Sequence, residues 1–378
     1  MPLSEQHEQI RAAVRRFVAE NVTPHAAKWD REKRFPREAL DGLAALGLYG
    51  VAVPEAWGGA GLDYTALALA CEEISAGDAA TGTVVSVNNL VAGILAGYGD
   101  DLQKNNFLKP LAQGKTLAAF ALTEPEVGSD ASAISTRALR EGGEYVLKGV
   151  KQFITSGKNA TVAIVFAVTD KAAGKKGISA FIVPTSTPGY TVARIEDKTG
   201  QRASDTAQIL LENCRIPAAN LLYAEGAGYR IALANLESGR INVAAQATGM
   251  ARTALEAALG YAAERTSMGK PLREHQAVSF RLADMATGVE AARQLYLHAA
   301  DLKDSGAPCL KEASMAKLFA SEAAERVCSD AIQIHGGYGY VEGFPVERIW
   351  RDARVCQIYE GASDIQRMVI GRTLEEGA

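Results

Sequence analysis

At 378 residues the chain exceeds what one hydrophobic core usually organises, so two or three packed units are expected. A net charge of −4 without a basic tract excludes the cationic face that nucleic acid requires, and no apolar run of roughly 18 residues marks a membrane span. The 5 cysteines (Cys71, Cys214, Cys309, Cys328, Cys356) form no CxxC pair, and the 5 histidines are dispersed, so neither a zinc site nor a Cys–His nucleophile is expected.

The opening stretch, "MPLSEQHEQIRAAVRRFVAENV", sets Ile10, Val14, Phe17 and Val18 on one helical face. Its arginines are offset by Glu5, Glu8 and Glu20, so it reads as a folded amphipathic helix, not an acid-poor leader. With a start at Met1 this favours a bacterial cytoplasm; a processed eukaryotic chain would belong to the mitochondrial matrix. The helical pattern continues through "DYTALALACEEISA" (63–76), with Asp63 as its cap, and glycine and proline clusters punctuate it up to residue 116. Between 117 and 222 the texture changes to short runs rich in β-branched and aromatic residues: "LAAFALT", "YVLKGVKQFIT", "VAIVFAVT", "ISAFIVPT", "YTVARI" and "AQILLENCRIP". That spacing predicts an antiparallel β-barrel or sandwich. From 223 to 378 alanine-rich helices of bundle length return, over 241–266, 277–306 and 310–337. The chain is therefore expected to be an α+β multidomain protein: an N-terminal helical domain (1–116), a central β domain (117–222) and a C-terminal four-helix bundle (223–378).

Near the end, "QIYEGASDIQR" (357–367) sets Glu360 between apolar Ile358 and Tyr359 and Gly361, just before a helix start for which Ser363 is a good N-cap. An acid flanked by apolar groups is desolvated, which raises its pKa towards the range a general base needs to deprotonate a weakly acidic carbon. The bland alternative is a helix-flanking acid favoured by the dipole.

Four motifs in order carry a resemblance to the acyl-CoA dehydrogenase family over essentially the whole chain: "ALTEPEVGSD" (121–130), "KQFITSG" (151–157), "QIHGGYGY" (333–340) and "IYEGASDIQR" (358–367). The resemblance implies an FAD enzyme with a helical–β–helical fold, assembled as a homotetramer (a dimer of dimers). Its reaction would be α,β-dehydrogenation of an acyl-CoA, with electrons passed to electron-transferring flavoprotein. The family's base falls on Glu360, with the thioester carbonyl held by the Glu360 N–H and a flavin hydroxyl. Phe120, Leu122, Thr123, Gly128 and Ser129 are implied at the flavin or the CoA end of the substrate, and Phe153, Ile154 and Thr155 on the flavin's other face. Arg265, Ser267 and Gln276 resemble contacts to a neighbouring subunit's cofactor, and Gln333, Gly336 and Gly337 those of the partner chain. Ala362, Ser363 and Asp364 follow the base on the cofactor side. Three positions depart from the family pattern: Glu126 stands for a glycine, Phe153 for a tryptophan and Ala362 for a threonine. His335 is read as packing.

Glu237, Ser238, Gly239 and Arg240, with Gly361, resemble the acyl-CoA contacts. Some members supply their base from the position of Gly239, which cannot serve as one, so Glu360 is favoured. The stretch 72–89 resembles the short-chain enzymes, and residues 74–93 contain no lysine or arginine to pair a second substrate carboxylate. A short unbranched acyl-CoA is therefore expected, with short branched chains as the alternative. Flavin oxidases and monooxygenases of this fold, and a silent binding protein, are the rival classes; a glutamate at 360 and the retained flavin motifs favour the dehydrogenase.

Overall fold

In the computed structural model, which describes residues 3–376, Ser4 and His7 close a reciprocal capping box on α1 (Glu5–Asn21), whose buried face carries Val14 and Val18 as the periodicity requires. Helices α2 (Thr23–Glu32) and α3 (Arg37–Ala45) wrap the outside of this unit. Asp63 caps α4 (Tyr64–Gly77) by accepting from Ala66 N at 2.8 Å, and Asp78 caps α5 (Ala79–Tyr98) through Thr81 N. Two short turns, α6 (Asp101–Gln103) and α7 (Lys109–Ala112), complete the N-terminal helices. By length and hydropathy α5 could cross a membrane, but 83% of its apolar window is buried inside the protein, so its apolarity serves packing on both sides.

The central strands are β1 (Ala118–Ala121), β2 (Arg137–Glu141), β3 (Glu144–Thr155), β4 (Val162–Val168), β5 (Ile178–Pro184), β6 (Tyr190–Ile195) and β7 (Thr206–Pro217). They form one seven-stranded sheet in the order β1-β4-β2-β3-β7-β6, with β5 also on β4. The expected antiparallel pairing holds for β2–β3, β3–β7, β4–β5 and β6–β7, whereas β1 runs parallel to β4, from Ala118 opposite Val162 to Ala121 opposite Val165, because the β2–β3 hairpin lies between them in the chain. Strand β2 is too polar for its periodicity to betray it, with four of five residues exposed, yet the Gly142–Gly143 turn after it is a hairpin signal. The β3–β7 register breaks between Lys151 and Ile154, and at this bulge Phe153 takes φ +58°.

The C-terminal unit is built on α8 (Gly228–Glu264), 37 residues long and so about 55 Å end to end. It begins 13 residues before the expected start at 241, because "ANLESGRI" continues the helix through Gly239. A two-stranded hairpin, β8 (Thr266–Ser267) with β9 (Lys270–Pro271), leads to α9 (Gln276–Asp304), α10 (Leu310–His335), α11 (Pro345–Ala353) and α12 (Ser363–Glu376). Helix α8 packs on α4 and α5 of the first unit, on β5 of the sheet, and on α9 and α10 of its own. It is the spine along which all three units meet.

Candidate active site

Glu360 lies in the turn between α11 and α12 with φ +53°, followed by Gly361 at φ +86°. A left-handed glutamate costs roughly 1–2 kcal/mol and persists only where its surroundings over-determine it. Here they do. Gln366 Nε2 donates to Glu360 O at 3.1 Å and to Gly361 O at 2.8 Å, and Lys317 Nζ donates to Gly361 O at 2.7 Å. With both carbonyls held, the Glu360 N–H has no acceptor among the described residues.

One oxygen of the carboxylate is dry. Glu360 Oε2 is sealed from solvent without a hydrogen-bond partner, while the residue lines the cleft described below. Burial raises its pKa above the usual carboxylate range, and Arg240 and Lys317 partly oppose that rise. Neither cation pairs with it directly: Arg240 Nη1 donates to Ser314 Oγ at 3.2 Å, and Arg240 Nε has no partner. Burial pushes the Lys317 ammonium down to about 8. A Cβ placed on Gly239 would lie 2.9 Å from Glu360 Oε2, so α8 approaches the carboxylate at a residue without a side chain.

Glu360 opens on a cleft of about 240 Å³ where α5, the sheet, α8 and the 359–361 turn converge. It brings together Phe120, Leu122, Thr123, Gly128, Ser129, Phe153, Ile154, Thr155, Arg240 and Gly361, residues from three of the four motifs with Phe120 and Arg240 besides. Phe153 is 61% exposed, so it is an aromatic wall of the cleft and no part of the β core. Among the described residues the hydroxyls of Thr123, Ser129 and Thr155 make no bond to protein. Aromatic walls edged by free hydroxyls fit a planar, heteroatom-rimmed ring such as an isoalloxazine. The wall is fixed from behind by a fully buried pair: Lys151 Nζ donates at 2.9 Å to both Glu124 Oε1 and Leu122 O. Glu124 also accepts from Ser135 N, Ser135 Oγ and Thr136 N, and its carboxyl is held down at about 2 despite burial. Glu126 is exposed on the turn closed by Glu124 and Val127, where no positive φ demands the family's glycine.

Other expected residues lie elsewhere. On α8, Leu236, Arg240 and Val243 face the cleft at helical spacing, which turns Glu237 and Ser238 away. Glu237 faces Lys303 (3.8 Å) and Cys309, and Ser238 lines a separate cavity of about 290 Å³ behind α8 with Tyr64, Asn89 and Asn242. Ser363 is the first residue of α12 and no N-cap; its hydroxyl is buried without a partner. Ala362 takes the position before the helix, and exposed Asp364 pairs with Arg367 at 3.2 Å. Arg265, Ser267, Gln276, Gln333, Gly336 and Gly337 are exposed and outside the cleft of their own chain; Arg265 lies over the Tyr338 ring, which joins the two groups on one rim. His335 packs as expected, stacked on Tyr261 at 4.3 Å with Nδ1 at 2.7 Å from Ala331 O.

Sequence reasoning did not single out Lys317, Gln366, Glu124, Lys151, Thr83 or Gln246. The available signal was a polar residue on an otherwise apolar face, as with Lys317 in the alanine-rich α10 and Lys151 in β3.

A dry carboxylate at the head of an aromatic cleft, between two helical units and a sheet, is the arrangement of a flavin-dependent oxidoreductase. Residues 4–115, 119–214 and 226–375 match the N-terminal, middle and C-terminal domains of acyl-CoA dehydrogenases. The chain is 49% identical over 369 residues to the human short-chain specific acyl-CoA dehydrogenase, covering 97% of this chain and 90% of that one. Its fold matches butyryl-CoA dehydrogenase from Megasphaera elsdenii with a TM-score of 0.97, at 41% identity and 99% coverage of both chains. A chain from structural work on the electron transferring flavoprotein of Acidaminococcus fermentans matches at a TM-score of 0.98, with 44% identity and 99% of each chain covered. The protein belongs to the acyl-CoA dehydrogenase family and is an FAD-dependent oxidoreductase.

Proposed function

We propose that this protein dehydrogenates short-chain acyl-CoA thioesters to trans-2-enoyl-CoA, with Glu360 as the base that removes the α-proton. The observation that carries this reading is Glu360 Oε2, sealed from solvent without a partner, beside the residue's own unused N–H. A dry carboxylate is a stronger base once substrate has expelled water, and the free N–H suits the thioester carbonyl, where charge develops as the proton leaves. Phe120, Leu122, Thr123 and Ser129 would line one side of the FAD ring and Phe153 and Thr155 another. Bound FAD supplies the hydride acceptor, flavin N5, and the route of electrons onward to electron-transferring flavoprotein. Arg240, buried beside the base, faces the cleft where the substrate's thioester would lie.

The short-chain assignment rests on the deep end of the cleft. Thr83 and Gln246 are buried there, and Tyr359 Oη donates to Gln246 Oε1 at 3.0 Å while Thr83 Oγ1 donates to Gln201 Oε1 at 2.7 Å. Displacing bonded polar groups to admit more methylenes is costly, whereas a four-carbon chain leaves them intact. The exposed rim of Arg265, Ser267, Gln276, Gln333, Gly336 and Gly337 suits contacts to a neighbouring chain's cofactor in a dimer-of-dimers tetramer.

Anaerobic titration of the FAD-loaded protein with C4, C8 and isobutyryl thioesters tests the reading. The flavin spectrum should bleach fastest with C4; a C8 optimum overturns the short-chain assignment, and a faster isobutyryl reaction moves it to branched chains. Glu360→Gln should stay yellow and bind the thioester without flavin reduction. Full reduction by that variant would assign the base elsewhere.

A further inference from the structure

Lys317 is fully buried on α10, yet it forms no ion pair among the described residues. An ammonium held in an apolar helix bundle without a counter-charge is destabilising, so its partners identify what it serves. Its one hydrogen bond goes to the carbonyl of Gly361, the residue after the base. It also belongs to a buried polar stripe on α10, Ser314, Lys317 and Ser321, at i, i+3 and i+7 of a helix face otherwise built of alanine and apolar residues. That stripe faces the site throughout: Ser314 Oγ accepts from Arg240, Lys317 donates to Gly361 O, and Ser321 O accepts from Gln357 Nε2 at 3.4 Å.

We infer that Lys317 is the positioning residue of the Glu360 base: it locks the left-handed turn that aims the carboxylate, and with Arg240 it surrounds that single anion with two buried cations. This rests on Glu360 being the base. The charge count supports it. Among the groups that act on Lys317 are Arg240 from α8, Cys356 and Glu360 from the segment before α12, and Glu322 further along α10. Of these two carboxylates, Glu360 has its Oε2 sealed from solvent and Glu322 sits in an ion pair with Arg367. Arg240 and Lys317 therefore favour the ionised form of Glu360 against the burial that raises its pKa, and the same positive charge favours an enolate when the proton moves onto the base. No bond to Glu360 itself is needed, which leaves its carboxylate free to receive the proton.

The test measures Glu360 directly and in turnover. In the FAD-loaded protein, the infrared band of the protonated carboxyl that is absent from Glu360→Gln is followed across pH 5–9 for wild type, Lys317→Gln, Lys317→Met and Lys317→Arg. The same proteins are reduced anaerobically by butyryl-CoA. Removing the cation disfavours the ionised carboxylate, so the Gln and Met variants should move the midpoint upward by about one pH unit, with the reduction rate about tenfold lower at pH values below it. Lys317→Arg should restore the midpoint. A midpoint that stays at the wild-type value in Lys317→Gln overturns the inference even if the rate falls, because packing alone would then explain the loss. If Lys317→Met fails to fold, the Gln and Arg variants decide the question. If wild type is reduced by no acyl-CoA the functional reading falls, whereas the infrared titration still decides the role of Lys317.

Discussion

Substituting Gly239 by alanine separates the stability of α8 from the placement of the Glu360 carboxylate. The added methyl would stand 2.9 Å from Glu360 Oε2, about 0.5 Å short of the 3.4 Å at which such contacts become ordinary. Gly239 is fixed in the middle of a 37-residue helix, whereas the carboxylate is the end of a side chain, so the carboxylate moves. A misplacement of about 1 Å can cost on the order of a hundredfold in rate, and half of that free energy corresponds to roughly tenfold. In the opposite direction, alanine for glycine inside a helix favours the folded state by about 1 kcal/mol. Gly239→Ala should therefore melt at or above the wild-type temperature while its single-turnover flavin reduction by butyryl-CoA slows roughly tenfold. Stopped-flow reduction and a thermal melt on one preparation read both effects. Equal or better stability with a reduction rate within about twofold of wild type would refute the argument that the glycine keeps space for the Glu360 carboxylate.

Breaking the buried Lys151–Glu124 pair through Lys151→Met should destabilise the protein by about 3–5 kcal/mol and lower FAD retention, since Leu122 and Thr123 lose their backing; unchanged FAD release on gel filtration argues otherwise. Glu124 is held at about 2, below the roughly 4.3 of an unfolded glutamate, so its contribution is complete above that value and is lost as pH falls towards 2. Glu124→Gln should flatten that part of the acid-unfolding curve, and an unaltered slope would remove Glu124 from it. Gln246→Ala opens the deep end of the cleft and should raise the C8-to-C4 ratio of kcat/KM, each accommodated methylene being worth about 1–3 kcal/mol; an unchanged ratio places the length limit elsewhere. Phe153→Gly relieves a φ of +58° while removing an aromatic wall, so the apoprotein should melt higher and FAD should bind more weakly, and loss of both would mark Phe153 as core.

What could be read along the chain was local. The period of Val14 and Val18, the Asp63 cap, the β-branched runs of the sheet and the apolar setting of Glu360 depend on near neighbours, and each has its counterpart in the fold. Strand β2 stayed hidden because an almost fully exposed strand has no apolar alternation to report. The parallel β1–β4 pairing stayed hidden because pairing direction is set by what lies between the strands. Ser363 looked like an N-cap by residue type, but Lys317 and Gln366 fix the preceding turn and start the helix on the serine itself.

By itself the sequence determined three units in order, the motifs that carry the likeness to the family, and an acid in apolar company. Tertiary structure alone decided that α8 turns Arg240 to the cleft and Glu237 and Ser238 away, that Gly239 meets the carboxylate, and that Lys317 reaches the turn from 44 residues earlier in the chain. The reason is geometric: residue type and period act over a few positions, whereas desolvation, charge balance and free volume around Glu360 are set by side chains that only packing brings together.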